Sequence, residues 1–326
     1  MNIKQKENTT MKFIDMHCDT PGIFYMKRET GDAPDFYDND KMHISLKKLI
    51  DGECFVQFFA HFDMFLQTNY DFDNMVNYIN HTKALFAKYP DKIKIINKLS
   101  EADPTKVNAL LTVEDGGSVN GSFENMQTLY DMGIRAIALT WNFENCFGFP
   151  NSQDTEIMNK GLKPFGIEAV EWMNEKGVAI DVSHLSDGGF YDVVKYTKKP
   201  FIASHSNSRS MTYHTRNLTD DMIKLLADKG GVTGINFAPQ FLSENEKANF
   251  ISDMVRHIDH ITNVGGIDVM ALGSDFDGIR GELEIAGAHE MGKLAVALNK
   301  AGYSDDAVEK IFRGNATRCI NEITGC

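Results

Sequence analysis

The chain has 326 residues, of which 42% are hydrophobic, 24% charged and 10% aromatic, and this composition is typical of a folded globular protein. Its formal net charge of −13 disfavours binding to a phosphate backbone, so we expect no nucleic-acid partner. No stretch approaches the ~20 apolar residues that a membrane span needs, so we also expect no membrane span.

The cysteines predict a reducing compartment. They are odd in number, scattered and free of any CxxC motif: Cys18, Cys54, Cys146, Cys319 and Cys326. Such a pattern does not resemble a disulfide framework. We therefore expect a cytoplasmic protein.

Short apolar runs rich in β-branched residues alternate with longer amphipathic runs, which indicates repeated β–α units and a parallel sheet. The predicted strands are Phe13–Asp19, Cys54–Phe62, Ala109–Glu114, Ala136–Trp141, Val178–His184, Phe201–His205, Val232–Phe237 and Val269–Phe276. Their number and spacing predict a (β/α)8 barrel of the TIM type. Since no linker divides the chain, residues 12–326 are predicted to form a single barrel domain after a polar tail over residues 1–11.

Several helices have readable ends in the sequence. Thr219 precedes the predicted helix Met222–Lys229, and Ser304 precedes another that runs through Ile311. A third, Asn249–Val264, has apolar residues at helical spacing and stops at a pair of glycines.

Metal-competent side chains stand at the C-terminal ends of the predicted strands, where the loops of a barrel build its active site. These residues are His17, Asp19, Glu114, His184, His205 and Asp275. The strand alternation turns His17 and Asp19 to one side and Cys18 to the other. Three imidazoles and two carboxylates suit zinc but exceed what one open tetrahedral ion holds.

The ligand surplus predicts two metal ions. We assign His17 and Asp19 to the first ion and His184 and His205 to the second. Glu114 would bridge the two ions, because a carboxylate has two oxygens and two-metal hydrolysis needs closely spaced ions.

Six segments in this order carry a family resemblance: DMHCD, LLTVEDGGSV, LTWN, IDVSHLS, SHSNSRSMTYHTRNLTDDMI and LGSDFDG. From Phe13 onward the chain resembles the membrane (renal) dipeptidase family, a zinc peptidase branch of the amidohydrolase barrels. The resemblance implies two Zn²⁺ per chain on the same five ligands. It also implies that Arg216 binds the substrate carboxylate and that Asp275 handles the proton.

The chain departs from this resemblance at two places. Trp141 stands where mammalian relatives have a His that holds the reacting carbonyl oxygen, and Ala238 stands where some relatives have a Tyr. The indole N–H of Trp141, the amide of Asn142 or the metals alone would take over the first role.

The expected function is therefore that of a binuclear zinc dipeptidase. A hydroxide bridging the metals would attack the peptide carbonyl, and Asp275 would carry its proton to the departing amine. The alternatives are another amidohydrolase-type reaction (deacylase, lactonase or phosphoesterase) and a metal-stabilised binding barrel without activity. Small dipeptides are the expected partners. The sequence is compatible with a homodimer.

The remaining polar residues receive structural interpretations. His61 is predicted to lie behind the metal ligands or in the pocket wall, and His257 and His260 to lie on the solvated face of an outer helix. Asp277 is interpreted as a turn residue before a glycine. The strand alternation predicts that Asp181 points away from the site.

Overall fold

The computed structural model describes residues 11–62, 70–244 and 247–325. Residues 1–10 of the predicted tail, and Cys326, lie outside the described residues. The strands, in chain order, are β1 (Phe13–Asp15), β2 (Cys54–His61), β3 (Ile93–Ile95), β4 (Val107–Val113), β5 (Ile134–Ala138), β6 (Ala179–Asp181), β7 (Ile202–Ala203), β8 (Val232–Ile235), β9 (Ala248–Asn249), β10 (Met270–Leu272) and β11 (Glu282–Leu283).

Parallel strands close into a barrel in the order β1, β2, β4, β5, β6, β7, β8 and β10. Asp15 of β1 pairs with Leu272 of β10, and β1 also pairs with β2, so the ring has no open edge. β3 adds to the first half of β4, and β9 and β11 form a separate small sheet. The predicted (β/α)8 barrel is confirmed, and each of its eight strands was located in the sequence.

The helices surround this barrel. They are α1 (Thr20–Met26), α2 (Leu46–Asp51), α3 (Phe72–Phe86), α4 (Phe123–Asp131), α5 (Thr155–Met158), α6 (Pro164–Lys176), α7 (Asp187–Tyr196), α8 (Asp220–Asp228), α9 (Pro239–Leu242), α10 (Ile251–Gly265), α11 (Gly292–Lys300), α12 (Asp305–Glu309) and α13 (Asn315–Thr324). A π-helical turn, Lys310–Gly314, joins the last two.

The predicted helix starts hold in the structure. The hydroxyl of Thr219 accepts a hydrogen bond from the Met222 amide at 3.2 Å, and that of Ser304 accepts one from the Ala307 amide at the same distance. Each bond satisfies an amide that has no partner within its helix. α10 stops at Gly266, whose φ of 83° few other residues adopt.

The core has an inner and an outer layer because successive side chains of a strand point to opposite faces. Val56 and Phe58 of β2 lie in the inner cluster. Phe59 lies in the outer cluster, between the strands and the helices. Ile320 and Ile323 of α13 pack into the inner cluster. α13 therefore contacts the barrel interior. The polar residues predicted for the site lie just after the C-terminal ends of the strands.

Among the described residues, no helix combines the length and apolar character needed to cross a bilayer. The four described cysteines, Cys18, Cys54, Cys146 and Cys319, are all free. The cytoplasmic location that their pattern suggested stays a prediction.

Candidate metal centre and active site

The predicted ligands come together just beyond the C-terminal ends of the barrel strands. His17 and Asp19 follow β1, Glu114 follows β4, His184 follows β6, His205 follows β7 and Asp275 follows β10. Because these strands are parallel, their C-terminal ends meet at one mouth of the barrel. Residues far apart in the sequence thus share one small volume.

His17 is at the centre of a carboxylate cluster. Its Nε2 atom lies 3.5 Å from Asp19 Oδ2, 3.6 Å from Glu114 Oε2 and 4.0 Å from Asp275 Oδ1. Cys18 points the other way and donates to the carbonyl oxygen of Phe58 at 3.3 Å. The alternation expected for residues 17 to 19 is therefore seen.

A second cluster lies on the other oxygen of Glu114. His184 Nε2 is 2.9 Å and His205 Nε2 is 3.5 Å from Glu114 Oε1, and the two nitrogens are 3.1 Å apart. Glu114 thus turns Oε2 to His17 and Oε1 to His184 and His205, while the rings of His17 and His205 lie side by side with centroids 3.8 Å apart. A carboxylate placed in this way could contact cations through both of its oxygens.

The outer nitrogens of both imidazoles have partners of their own. His184 Nδ1 lies 3.1 Å from Asn142 Oδ1, and His205 Nδ1 lies 2.7 Å from the hydroxyl of Ser204. An amide oxygen only accepts, so the proton of neutral His184 lies on Nδ1. Its Nε2 lone pair then faces the cluster.

Burial and charge shape the protonation of this cluster. Burial lowers the pKa of His17, but the facing charges of Glu114 and Asp19 outweigh it and raise that pKa well above its usual value. For Glu114 the signs are reversed: burial raises its pKa, but the charge of His17 holds that pKa well below normal. Burial lowers the pKa of His184 to about 4 and that of His205 well below normal. Two neutral imidazoles and a carboxylate converge, which favours a cation.

The residues fit divalent metal ions. His17 Nε2 and Asp19 Oδ1 are buried atoms with no hydrogen-bond partner among the described residues. Ligand atoms of a tetrahedral zinc with bonds of about 2.1 Å lie ~3.4 Å apart. The separations are 3.5 and 3.6 Å between His17 and its predicted partners, and 2.9 to 3.5 Å among His184, His205 and Glu114, which is close to this value.

Asp275 and Asp277 differ in what they contact. Asp275 accepts a bond from Asn236 Nδ2 on Oδ2 at 2.9 Å and turns Oδ1 toward His17. Asp277 accepts from the Thr20 hydroxyl and from the His43 amide, both at 2.7 Å. Both oxygens of Asp277 are thus engaged away from the cluster. Burial raises the pKa of Asp275 above its usual value.

A cleft of about 340 Å³ opens beside the cluster. Trp141, Asn142 and Asp275 line it, together with apolar side chains that include Phe62 and Phe241 and a similar number of polar and charged ones. The ring of Trp141 lies 4.4 Å from that of Phe62. The cleft therefore offers an apolar wall directly beside the charged residues.

Arg216 lies behind His205 and is not among the described residues that line this cleft. It is only 5% exposed, and it donates to the Ser206 hydroxyl at 3.2 Å and to the His205 carbonyl at 3.3 Å. Its Nε atom has no partner among the described residues. Burial lowers the pKa of Arg216, and the charges of Asp275 and Glu114 partly offset this effect.

His257 and His61 are both buried, and their sequence interpretations have different outcomes. His257 is fully buried, so its assignment to a solvated face was wrong. It accepts the Ser208 amide on Nδ1 at 3.1 Å, because α10 turns it inward against the loop after β7. His61 is also fully buried, between Thr112 and Thr82, and its ring lies 4.8 Å from that of Tyr78, which lines the cleft. It therefore lies behind the cleft wall, one of the two positions predicted for it.

The expectation that Asp181 points away from the site was wrong. His184 has a φ of 70°, which breaks the alternation on which that expectation was based. Asp181 faces the barrel interior below the cluster, alongside His17, Glu114 and Ser204. It accepts hydrogen bonds from the hydroxyl and the amide of Ser204. The sequence carries a signal for this kind of contact: a serine comes directly before a functional residue three times, at Ser183, Ser204 and Ser274.

Comparison of the sequence with known proteins identifies a family and several relatives. Residues 4–325 match the family model described as membrane dipeptidase (peptidase family M19). An uncharacterized protein from the pqqA 5′ region of Klebsiella pneumoniae is 34% identical over 256 residues, covering 74% of this chain and 93% of that protein. An uncharacterized dipeptidase of Schizosaccharomyces pombe is 33% identical over 290 residues, covering 82% and 69%.

Solved structures share the fold. A metallopeptidase from Rhodobacter sphaeroides, liganded with a phosphinate mimic of the dipeptide L-Ala-D-Ala, has a TM-score of 0.87 and 22% identity, covering 96% of this chain and 99% of its own. The dipeptidase AC structure has a TM-score of 0.88 and 23% identity, covering 97% and 100%.

Proposed function

The chain belongs to the membrane dipeptidase family and is a peptide-bond hydrolase, and we propose that it cleaves dipeptides with two zinc ions held at the barrel mouth. His17 and Asp19 would hold one ion, His184 and His205 the other, and Glu114 both. When bound, such ions activate water and polarise the scissile carbonyl.

The position of Glu114 carries this proposal. Its Oε2 atom faces His17 at 3.6 Å, and its Oε1 atom faces His184 at 2.9 Å and His205 at 3.5 Å. The ion at His17 would also have Asp19, whereas Glu114 is the one carboxylate among the ligands proposed for the ion at His184 and His205. The split contact supports two neighbouring ions that share Glu114.

Asp275 is the proposed proton carrier. Asn236 binds its Oδ2 atom, which leaves Oδ1 free to receive a proton on the side of His17. Burial raises its pKa, so the carboxyl group holds a proton more readily than an exposed Asp does. That property suits a group that accepts a proton from water and returns it to the leaving amine.

The cleft sets the proposed substrate class. Its apolar wall, next to the ligand cluster, suits a dipeptide with an apolar side chain. Trp141 lines the cleft and would assist the carbonyl oxygen through its indole N–H. Asn142 lines it as well, but its Oδ1 atom already binds His184, which leaves its amide N–H₂ for substrate.

Arg216 is proposed to hold the substrate carboxylate. Its Nε–H has no partner among the described residues, and its positive charge is buried close to Asp275 and Glu114. Both features support an anion partner. Since the side chain lies behind His205, the carboxylate would have to reach past the lining of the cleft.

Elemental analysis together with a dipeptide panel tests the proposal. We expect about two zinc ions per chain and hydrolysis of unblocked dipeptides. Glu114→Gln should lower the occupancy of both ions together, because one side chain serves both. A single tightly held ion that survives this substitution would contradict the two-metal centre.

The same panel separates the alternative reactions. Acylated amines, lactones and phosphoesters should be turned over far more slowly than dipeptides if the cleft is built for two residues. Family membership sets aside the binding barrel without activity. Faster turnover of one of the other classes would reassign the reaction while leaving the metal centre in place.

A further inference from the structure

We propose that Asp181 is a positioning residue that acts through Ser204 to fix the tautomer of His205, so that its Nε2 lone pair faces the metal centre. The inference rests on the proposed metal centre. It concerns side chains that neither bind metal nor line the cleft.

The protons of this chain of contacts can be assigned one by one. Asp181 Oδ1 accepts the backbone amides of Ser183 and Ser204, each at 2.9 Å. Asp181 Oδ2 accepts the hydroxyl proton of Ser204. Because a hydroxyl has one proton, Ser204 Oγ is left as an acceptor for Nδ1–H of His205 at 2.7 Å. Nε2 of His205 therefore carries the lone pair.

Burial makes this assignment firm. Asp181 is 4% exposed, Ser204 2% and His205 0%, so water does not compete for these bonds. The partner of His184 differs, since Asn142 is exposed and its amide group could rotate. The two imidazoles of the second cluster are thus held by partners of different strength.

The barrel contains a second copy of the same Asp–Ser contact. Asp181 pairs with Ile202, and Ser204 stands two residues later; Asp15 pairs with Leu272, and Ser274 stands two residues later. Asp15 accepts the Ser274 amide at 2.7 Å and its hydroxyl at 2.6 Å. Only the contact at Ser204 continues to an imidazole. Ser274 Oγ accepts the Phe276 amide and lies 3.3 Å from the backbone carbonyl of His17, but it does not contact the ring of His17.

This repeat supplies a matched control. Ser204→Ala and Ser274→Ala each remove one hydroxyl from a buried carboxylate, and each leaves the backbone amide bond to that carboxylate. If the contacts were only structural, both variants would lose similar stability and no metal affinity. Under the proposal Ser204→Ala should weaken one zinc site by about 10–100-fold, the range for outer partners of a ligating histidine. Ser274→Ala should leave zinc affinity within about threefold.

Asp181→Asn gives a sharper result because it reverses the hydrogen bonds. The side-chain oxygen of Asn would keep the two backbone amides, so its N–H₂ group would face Ser204 and donate to it. Ser204 would then donate to Nδ1 of His205, and the proton of the neutral ring would move to Nε2, toward the metal. Zinc affinity should fall at least as far as in Ser204→Ala.

Nitrogen-15 NMR of the histidine rings reads the tautomer directly in metal-free protein at neutral pH. We expect Nδ1–H on His205 in the wild type and Nε2–H in Asp181→Asn, with zinc affinities measured by chelator competition. Nε2–H in the wild type, an unchanged tautomer in Asp181→Asn, or equal affinity losses in the two serine variants would overturn the proposal. Absence of zinc binding by the wild type would instead refute the metal centre, because the tautomer measurement needs no metal.

Discussion

Asp275 and Asp277 are two residues apart, and their contacts separate them. Thr20 and His43 engage both oxygens of Asp277, while Asp275 keeps Oδ1 on the side of His17. The chemistry proposed for the site therefore depends on the first carboxylate. The second holds the neighbouring loops together.

Asp275→Asn should keep the metals and lower kcat by ~10²–10⁴-fold, the usual worth of general acid–base help. Asp277→Asn should lower stability more than it lowers kcat, because it weakens bonds to Thr20 and His43. Steady-state kinetics on metal-loaded protein, with metal content measured in parallel, checks both. The reverse ranking of kcat at full metal content would move the proton-carrier role to Asp277.

Gly278, the glycine that follows Asp277, lies close to two carboxylates of the site. A Cβ atom there would lie 1.9 Å from Asp19 Oδ2 and 2.8 Å from Asp275 Oδ1. Backbone freedom does not explain this glycine, because its φ is not in the left-handed region. The absence of a side chain leaves room for the two carboxylates.

Gly278→Ala should therefore lower metal affinity and kcat together, since the methyl group would push Asp19 off its position. Because Gly278 is exposed, the melting temperature of the metal-free protein should change little. Zinc titration and thermal melts of the apo protein make the comparison. A large loss of apo stability with normal zinc affinity would show that the glycine serves the fold instead.

The strand alternation gives the relative orientation of site residues correctly where a strand continues regularly and wrongly where the backbone departs from it. His17 and Asp19 share a side as the alternation required. His184 and Asp275 have φ values of 70° and 64°, which non-glycine residues adopt at a cost of ~1–3 kcal/mol and which no strand pattern contains. Asp181 was misread for this reason.

At the level of elements, β7, β8 and β10 approach each other closely around one carbonyl group. A Cβ atom would lie 2.1 Å from the Ser204 carbonyl oxygen at Gly234 and 1.8 Å from it at Gly273. A glycine inside or just after a strand is a sequence signal for such an approach. Its partner, the Ser204 carbonyl, comes from another strand and is not visible in the local pattern.

Gly234→Ala should destabilise the protein by ~1–3 kcal/mol, the usual cost of overpacking a tight interior, because the backbone of two strands would have to separate. Gly148→Ala is the matched control: that glycine is also buried, but the nearest atom to its added Cβ is 3.4 Å away. Chemical denaturation of both variants measures the difference. Equal and small losses would mean that the strands can shift without cost.

The helices show the complementary case, in which local sequence is sufficient. The caps at Thr219 and Ser304 need only a hydroxyl and the next turn of the same helix, so their starts were predicted correctly. The inward position of His257 on α10 depends on Ser208, from a loop 49 residues earlier. Helical spacing alone gave no reason to expect that contact.

For the whole molecule, buried neutral histidines couple folding to pH. His257 accepts the Ser208 amide on Nδ1 and lies 3.0 Å from the Leu242 carbonyl through Nε2, so a proton on Nδ1 would break the first bond. Burial lowers its pKa from the ordinary 6.5 to about 4. The metal ligands also titrate, but a comparison of two proteins with the same site removes their share.

The sign of this coupling follows from proton counts. Between pH 6.5 and about 4 the unfolded chain binds a proton at His257 that the folded protein does not, so acid favours unfolding. Stability from this residue is complete above pH 6.5 and declines by about 1.4 kcal/mol per pH unit below it. His257→Gln should be less stable than the wild type at pH 7. The gap between them should narrow by ~2 kcal/mol at pH 5, because Gln has no proton to gain. Denaturant melts of both proteins at pH 7 and pH 5 give the two differences in stability. A difference that stays constant would show that His257 is protonated in the folded protein or that its burial does not oppose charge.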